Sequence, residues 1–98
     1  MRITKEQIQL IAETVSHLAG ADAVVYLFGS RLDDRMKGGD IDLLIESDAP
    51  LSLIDRAHIK IELESRLGLP VDIVSKTRGA VATPFQVMAQ SGSYQLQA

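Results

Sequence analysis

The sequence predicts a small α/β domain, in the α+β sense, with helices packed on one face of a mixed β-sheet. Two long segments carry helical periodicity, and three short runs rich in valine, isoleucine and leucine alternate with them. A chain that alternates helices and strands at this length buries one core by laying its helices on a single sheet. We therefore expect residues 1–98 to form one domain.

The first predicted element is a helix that begins after Thr4. Thr4 and Gln7 have the spacing of a capping box, in which each side chain bonds the backbone N–H of the other residue. The residues that follow at helical spacing and form one apolar face are Ile8, Ile11, Ala12, Val15, Leu18 and Ala19. Gly20 is the predicted end of this helix.

Three strands are predicted, over residues 23–28, 40–46 and 71–75. The first is β-branched and aromatic, and the second alternates acids with isoleucine and leucine. The third follows Pro70, as an edge or terminal strand often does. A short helix over 30–35 is expected between the first two strands.

A second long helix is predicted over residues 51–67, ending at Gly68. Its apolar residues spread over a broad arc, which fits either a wide core face or contact with a partner on a second side. A last helix is expected from Pro84 to about residue 90, because proline favours the first helical position. Residues 94–96 form either a short strand or a loose tail.

Composition excludes several classes of function. The net charge of −3 disfavours binding to long nucleic acid, which needs a basic surface. The chain has no cysteine, so disulfides and zinc thiolate sites are excluded. No apolar stretch approaches the roughly 20 residues that span a bilayer, and charges recur through the N-terminus, so we expect a cytoplasmic protein without membrane contact.

Three aspartates form the most informative pattern. Asp40 and Asp42 are two apart in a predicted strand, so they share one face, about 6.6 Å apart along the strand. Asp72 lies among valine and isoleucine in the third strand, where an unpaired buried charge would be costly. If Asp72 faces the other two from a neighbouring strand, the three carboxylates provide the oxygen ligands that Mg²⁺ prefers.

A Gly29-Ser30 turn precedes the acids, with nine residues between Ser30 and Asp40. Gly29 permits a sharp turn and a close approach of ligand to backbone. Backbone N–H groups at a helical turn after Ser30 favour anions, and Arg31 adds a charged contact for phosphate. Gly39, in the approach to the acids, is included in the predicted nucleotide site.

Each motif alone has an ordinary explanation. A Gly-Ser pair is usually a turn, alternating acids often form a solvated strand face, and Asp72 fits an exposed edge position. The combination of strand, Gly-Ser, short polar gap, Asp-x-Asp, helix and a strand with Asp is more specific than its parts.

The same residues resemble the minimal nucleotidyltransferases (MNT) of the DNA polymerase β-like superfamily. The resemblance rests on Gly29-Ser30, Asp40, Asp42 and Asp72, and the order of elements agrees over nearly the whole chain. It implies a palm-like sheet, two Mg²⁺ ions and ATP as the substrate. It also implies that Asp40 and Asp42 bind both ions, that Asp72 binds the catalytic ion and helps activate an acceptor hydroxyl, and that Gly29 and Ser30 hold the β- and γ-phosphates.

Many small proteins of this kind are antitoxins encoded beside a HEPN-domain ribonuclease toxin. The resemblance implies transfer of AMP from ATP to a tyrosine of that toxin, within a hetero-oligomer of the two proteins. Two alternatives stay open at this point. The chain could neutralise a toxin by occlusion alone, or it could transfer a nucleotide to a small molecule.

Overall fold

A computed structural model describes residues 3–29, 40–84, 86–87 and 92–96. The elements in chain order are α1 (Lys5–Ala19), β1 (Val24–Phe28), β2 (Ile41–Ser47), α2 (Leu53–Leu67), β3 (Val71–Thr77) and β4 (Tyr94–Leu96). Both long helices and all three predicted strands are therefore confirmed, and residues 94–96 form a strand. The predicted short helix over 30–35 lies outside the described residues. Of the predicted last helix, residues 84, 86 and 87 are described, and they are helical.

The four strands form one mixed sheet in the order β3-β2-β1-β4. β1 pairs antiparallel with β2 and with β4, whereas β2 pairs parallel with β3. A parallel pair needs a long crossover connection, and α2 provides it between β2 and β3. This topology places the beginnings of β2 and β3 side by side at one end of the sheet, next to the end of β1.

The hydrophobic core lies between the two helices and one face of the sheet. Its strand residues include Ile41, Leu43 and Ile45 of β2, and its helical residues are Ile11, Val15, Ile59 and Leu63. Because side chains alternate along a strand, Asp42, Leu44 and Glu46 point to the opposite face. Leu44 is also fully buried, so the face opposite the helices is covered at its centre, with Asp42 towards one end and Glu46 towards the other.

The predicted helix boundaries follow from their capping residues. Thr4 and Gln7 make both hydrogen bonds of the capping box, at 3.1 Å and 2.9 Å. α2 begins two residues later than predicted, because the Ser52 hydroxyl caps it by accepting a hydrogen bond from the Asp55 N–H at 3.0 Å. Gly68 ends α2 in a left-handed conformation with φ of 69°.

The broad apolar arc of α2 has two sides in the structure. Ile59 and Leu63 are buried in the core. Leu53, Ile54 and Ile61 lie on the other side, where they are 74%, 80% and 65% exposed. In the described part of the chain, no helix has the length and apolar character to cross a membrane.

A charged cluster closes the opposite end of the sheet from Asp42. Arg78, after β3, donates to the Asp22 carbonyl oxygen at 2.9 Å, contacts Glu46 at 3.5 Å and pairs closely with Asp48. The Asp48 N–H donates to the Asp22 carboxylate at 3.0 Å. This hydrogen bond is the largest cause that holds the pKa of Asp22 below its ordinary value. The cluster therefore ties the start of β1 to the ends of β2 and β3.

Candidate active site

The site is built around Asp42 and Asp72, which are direct partners in the parallel ladder between β2 and β3. Ile41 and Val71, their preceding neighbours, are also partners and point into the core. Both aspartates therefore project from the other face of the sheet, on adjacent strands about 4.8 Å apart. Asp42 is half-buried, while the Asp72 side chain is 60% exposed.

The environment of Asp42 raises the pKa of its carboxyl group above the ordinary value. Burial is the largest cause, since desolvation disfavours the charged form. The negative charge of Asp72 comes next, followed by the charge of Asp40 and a hydrogen bond with Asp72. The site thus concentrates negative charge and favours a cation or a shared proton between the two carboxylates.

Asp40 lies immediately before β2 and is exposed. The sequence predicted that it would share a strand face with Asp42, and its charge does act on that residue. Within residues 3–29, 40–84, 86–87 and 92–96, however, no group of three or more histidine, cysteine or acidic side chains is already arranged to hold a metal ion. The structure therefore brings Asp42 and Asp72 together most closely, with Asp40 beside them at the strand entrance.

Gly29 brings the end of β1 against the same carboxylate. Phe28 pairs with Asp42 in the antiparallel ladder, and Gly29 follows it with φ of 81°. A Cβ atom at Gly29 would collide with a carboxylate oxygen of Asp42 and lie 3.2 Å from its Cγ. Glycine is needed here both for its backbone conformation and for the space that Asp42 occupies.

The other predicted nucleotide-binding residues are Ser30, Arg31 and Gly39. All three lie outside the described residues, and so do Asp33 and Asp34 in the predicted polar gap. Gly29 and Asp40 are the described residues that border this segment on either side, and both adjoin Asp42.

Two residues of α2 reach the site that the sequence did not single out. Lys60 lies 3.9 Å from the Asp72 carboxylate and 3.2 Å from Glu64, and it donates to the Val71 carbonyl oxygen. Glu64 accepts a hydrogen bond from the Val71 N–H at 2.8 Å. That bond, and then Lys60, hold the pKa of Glu64 below its ordinary value. Their i,i+4 spacing on a helix was visible in the sequence, but their contact with β3 was not.

The donor set fits a hard divalent cation such as Mg²⁺. Such cations take carboxylate oxygens as ligands and keep several waters, so a pair of aspartates on adjacent strands suffices to anchor one. Burial and the neighbouring negative charges that raise the pKa of Asp42 mark a place where a bound cation would be stabilised. Asp42 and Asp72 would hold such an ion, and Asp40 is placed to join them.

A separate groove of about 360 Å³ runs between α1 and α2. Its lining residues are Leu10, Glu13, Thr14, His17, Leu18, His58, Glu62 and Arg66. All of them belong to the two helices, which cover the other face of the sheet from the aspartates. Its lining includes neither the aspartates nor the glycine turn, so we take the aspartates as the candidate site for the chemistry.

Comparison with known proteins identifies the family of the chain. A family model described as a nucleotidyltransferase domain matches residues 8–93, which is most of the chain. No curated protein matches at a significant level.

Several solved structures share the fold. A protein provisionally designated a minimal nucleotidyltransferase is 28% identical with a TM-score of 0.70, over 92% of this chain and 89% of that one. A structure of tri-AMPylated Shewanella oneidensis HEPN toxin in complex with MNT antitoxin is 26% identical with a TM-score of 0.61, over 92% and 71%. A toxin-antitoxin structure with AMP-PNP is 23% identical with a TM-score of 0.72, over 96% and 73%, and this likeness shows the fold alone.

The matched region contains the glycine turn and all three aspartates, and the shared fold covers nearly the whole chain. The chain belongs to the nucleotidyltransferase domain family.

Proposed function

We propose that the chain transfers AMP from ATP, with Mg²⁺, to a hydroxyl group of a partner protein. The proposed acceptor is a tyrosine of a cognate HEPN ribonuclease toxin, so the chain acts as the antitoxin of a toxin–antitoxin pair. The observation that carries this proposal is the pairing of Asp42 with Asp72 on adjacent parallel strands, with the Gly29 turn against the Asp42 carboxylate. The tri-AMPylated HEPN toxin in the Shewanella oneidensis complex supports AMP as the transferred group.

In the proposed reaction the acceptor oxygen attacks the α-phosphorus of ATP. A new oxygen–phosphorus bond forms, the bond from the α-phosphorus to the bridging oxygen breaks, and pyrophosphate leaves. The acceptor hydroxyl loses its proton, which we assign to the carboxylate of Asp72 because that side chain is the more exposed of the pair. Asp72 is thus proposed as the base and Asp42 as the central anchor of the site.

Two Mg²⁺ ions are proposed at Asp40, Asp42 and Asp72. When bound, they supply positive charge that offsets the charge on the α-phosphate and on the leaving pyrophosphate. Gly29 and Ser30, with Arg31 and Gly39, are proposed to hold the phosphates. Gly29 fits this role because its backbone carries no side chain where it faces the acids.

The proposal is tested with ATP labelled at either the α- or the γ-phosphate, using the HEPN-domain protein encoded beside this chain as acceptor. We expect transfer of the α-label alone. We expect this transfer with less than one molecule of this chain per acceptor molecule. Asp42→Asn is expected to abolish it while the variant remains folded. Transfer of the γ-label would instead identify phosphoryl transfer and contradict the proposal.

A non-catalytic antitoxin is the second candidate, favoured by one observation. The exposed side of α2 presents Leu53, Ile54 and Ile61 at helical spacing, which is a surface suited to contact with a partner protein. Inhibition of the toxin at one-to-one stoichiometry in the absence of ATP would support occlusion. Inhibition that requires ATP and proceeds at substoichiometric amounts would exclude it.

A further inference from the structure

We propose that Glu64 and Lys60 of α2 are positioning residues that hold Asp72 in register with Asp42. The inference rests on the function proposed above, since it assigns these residues to the same metal and nucleotide site. It identifies a part of the site that belongs to the helical layer of the fold.

The first observation concerns the backbone of Val71, the residue before Asp72. Among the described residues β3 is an edge strand, so no strand in that part of the chain pairs with the backbone groups on its outer side. The Val71 N–H donates to Glu64 at 2.8 Å, and its carbonyl oxygen accepts from Lys60. On the inner side, where β3 begins beside β2, the Ile41 N–H donates a hydrogen bond to the Pro70 carbonyl oxygen at 2.9 Å.

The second observation is that the contacts of Lys60 and Glu64 extend from the backbone of Val71 to the side chain of Asp72. The ammonium group of Lys60 lies 3.2 Å from Glu64 and 3.9 Å from the Asp72 carboxylate. One helical turn of α2 thus binds both backbone groups of Val71 and also contacts Asp72. Since the Asp72 side chain is 60% exposed, core packing does not orient it, and these contacts restrain it together with its hydrogen bond to Asp42.

A purely structural role would use the same contacts only to attach α2 to β3. The two roles differ in what they change. Residues that orient metal-binding side chains typically alter metal affinity or activity by about 10- to 100-fold when they are replaced. If these residues only attach α2 to β3, replacing them changes the stability of the protein. It would then affect metal binding no more than the loss of any other helix contact does.

The test measures Mn²⁺ affinity by electron paramagnetic resonance, with Mn²⁺ in place of Mg²⁺ and AMP-PNP as the nucleotide. Glu64→Ala is expected to weaken Mn²⁺ binding about 10-fold. Glu64→Gln keeps an oxygen that can accept from the Val71 N–H, and we expect it to restore most of the affinity. The matched control is Glu62→Ala, which breaks an i,i+4 pair with Arg66 (2.8 Å) on the groove side of the same helix and is expected to leave affinity unchanged.

A double-mutant cycle identifies the route of the effect. In an Asp72→Asn background, Glu64→Ala is expected to weaken Mn²⁺ binding little further, because its effect passes through Asp72. The same fold-loss in both backgrounds, or a loss from Glu62→Ala as large as that from Glu64→Ala, would overturn the proposal.

Lys60→Met provides an independent test of positioning. It also serves if circular dichroism shows that Glu64→Ala does not fold. Loss of positioning is expected to weaken Mn²⁺ binding. Unchanged or tighter binding would show that Lys60 acts only as a competing cation beside Asp72, and would overturn its positioning role. Asp42→Asn separates failure of the proposed function from failure of the positioning inference. If Asp42→Asn leaves Mn²⁺ binding intact, the proposed function fails. If Asp42→Asn loses Mn²⁺ binding while Glu64→Ala and Lys60→Met bind as the wild type does, only the positioning inference is refuted.

Discussion

Replacing Asp42 with asparagine is expected to stabilise the metal-free protein while it abolishes the proposed activity. In the folded protein, Asp42 is half-buried opposite Asp72, and burial together with the neighbouring negative charges raises the pKa of Asp42. Asparagine has nearly the same shape, removes the charge and can still hydrogen-bond with Asp72. The variant therefore relieves a repulsion that the wild-type fold retains for its chemistry.

The size of the gain follows from the spacing of the strands. Two like charges about 4.8 Å apart repel by about 0.9 kcal/mol in a water-like medium and by about 3.5 kcal/mol at an effective dielectric constant near 20. Because the Asp72 side chain is 60% exposed, the water-like limit applies, and we expect about 1 kcal/mol. For a domain of this size, that corresponds to a rise in Tm of about 4–8 °C.

The assay is thermal unfolding followed by circular dichroism in EDTA, repeated across pH. A carboxyl group whose folded pKa is raised contributes stability that is fully present below its unfolded pKa and is lost as pH rises through the folded pKa. The advantage of Asp42→Asn is therefore expected at neutral pH and should vanish below about pH 4, where Asp42 is protonated in both states. Added Mg²⁺ should raise the Tm of the wild type more than that of the variant.

Asp55→Asn is the matched control, because it removes an acid of the first turn of α2 that interacts favourably with the helix dipole. It should lower the Tm slightly, the opposite direction from Asp42→Asn. A destabilised Asp42→Asn protein at neutral pH, or a gain that persists unchanged below pH 4, would refute the electrostatic reasoning.

Three further predictions concern other parts of the chain. Gly29 and Gly79 both have a positive φ, so replacing either with alanine is expected to cost about 1–2 kcal/mol of stability. Only the methyl group of Gly29→Ala would collide with the Asp42 carboxylate, so Mn²⁺ affinity should fall in Gly29→Ala and not in Gly79→Ala. Equal Mn²⁺ affinities of the two variants would contradict the contact between Gly29 and Asp42. Asp22→Asn should destabilise the protein at pH 7, and the difference from the wild type should shrink as pH falls below about 4. The reason is that a lowered folded pKa of Asp22 contributes stability at pH values above its unfolded pKa. A difference in the free energy of unfolding in urea that does not change with pH would contradict this. Thr4→Ala should cost about 1 kcal/mol in thermal unfolding through loss of the α1 cap, and an unchanged Tm would contradict that estimate.

It was predictable that Asp42 and Asp72 share the face of the sheet opposite the core, because this depends on local rules. Alternation along a strand sends the aspartates away from the face that carries isoleucine and leucine, and a helix between two strands favours their parallel pairing. The sequence could not state which residue of β3 would stand opposite Asp42. It suggested the match only because Asp72 was the acid of that strand.

The α2 contacts were not predictable because they depend on how the helix lies against the sheet. Lys60 and Glu64 are polar residues at i,i+4 spacing, a pattern that usually marks a solvated helix surface. Their contact with Val71 depends on the angle at which Ile59 and Leu63 pack into the core. Residue spacing alone does not fix that angle.

The burial of Leu44 and the contact of Gly29 with Asp42 were likewise not predictable from residue spacing. Leu44 lies on the face that alternation assigns to the acids, yet it is fully buried. The close approach of Gly29 to Asp42 follows from the register between β1 and β2, in which Phe28 pairs with Asp42. The sequence indicated a permissive glycine but not the carboxylate beside it.

AMP transfer is tested most directly by intact mass analysis of the HEPN-domain protein encoded beside this chain, after incubation with this chain, ATP and Mg²⁺. We predict a gain of one or more AMP masses on that protein, located on tyrosine by fragmentation, and no gain with Asp42→Asn. A stable one-to-one complex without any gain in mass would contradict the proposed AMP transfer and identify a chain that inhibits by binding alone.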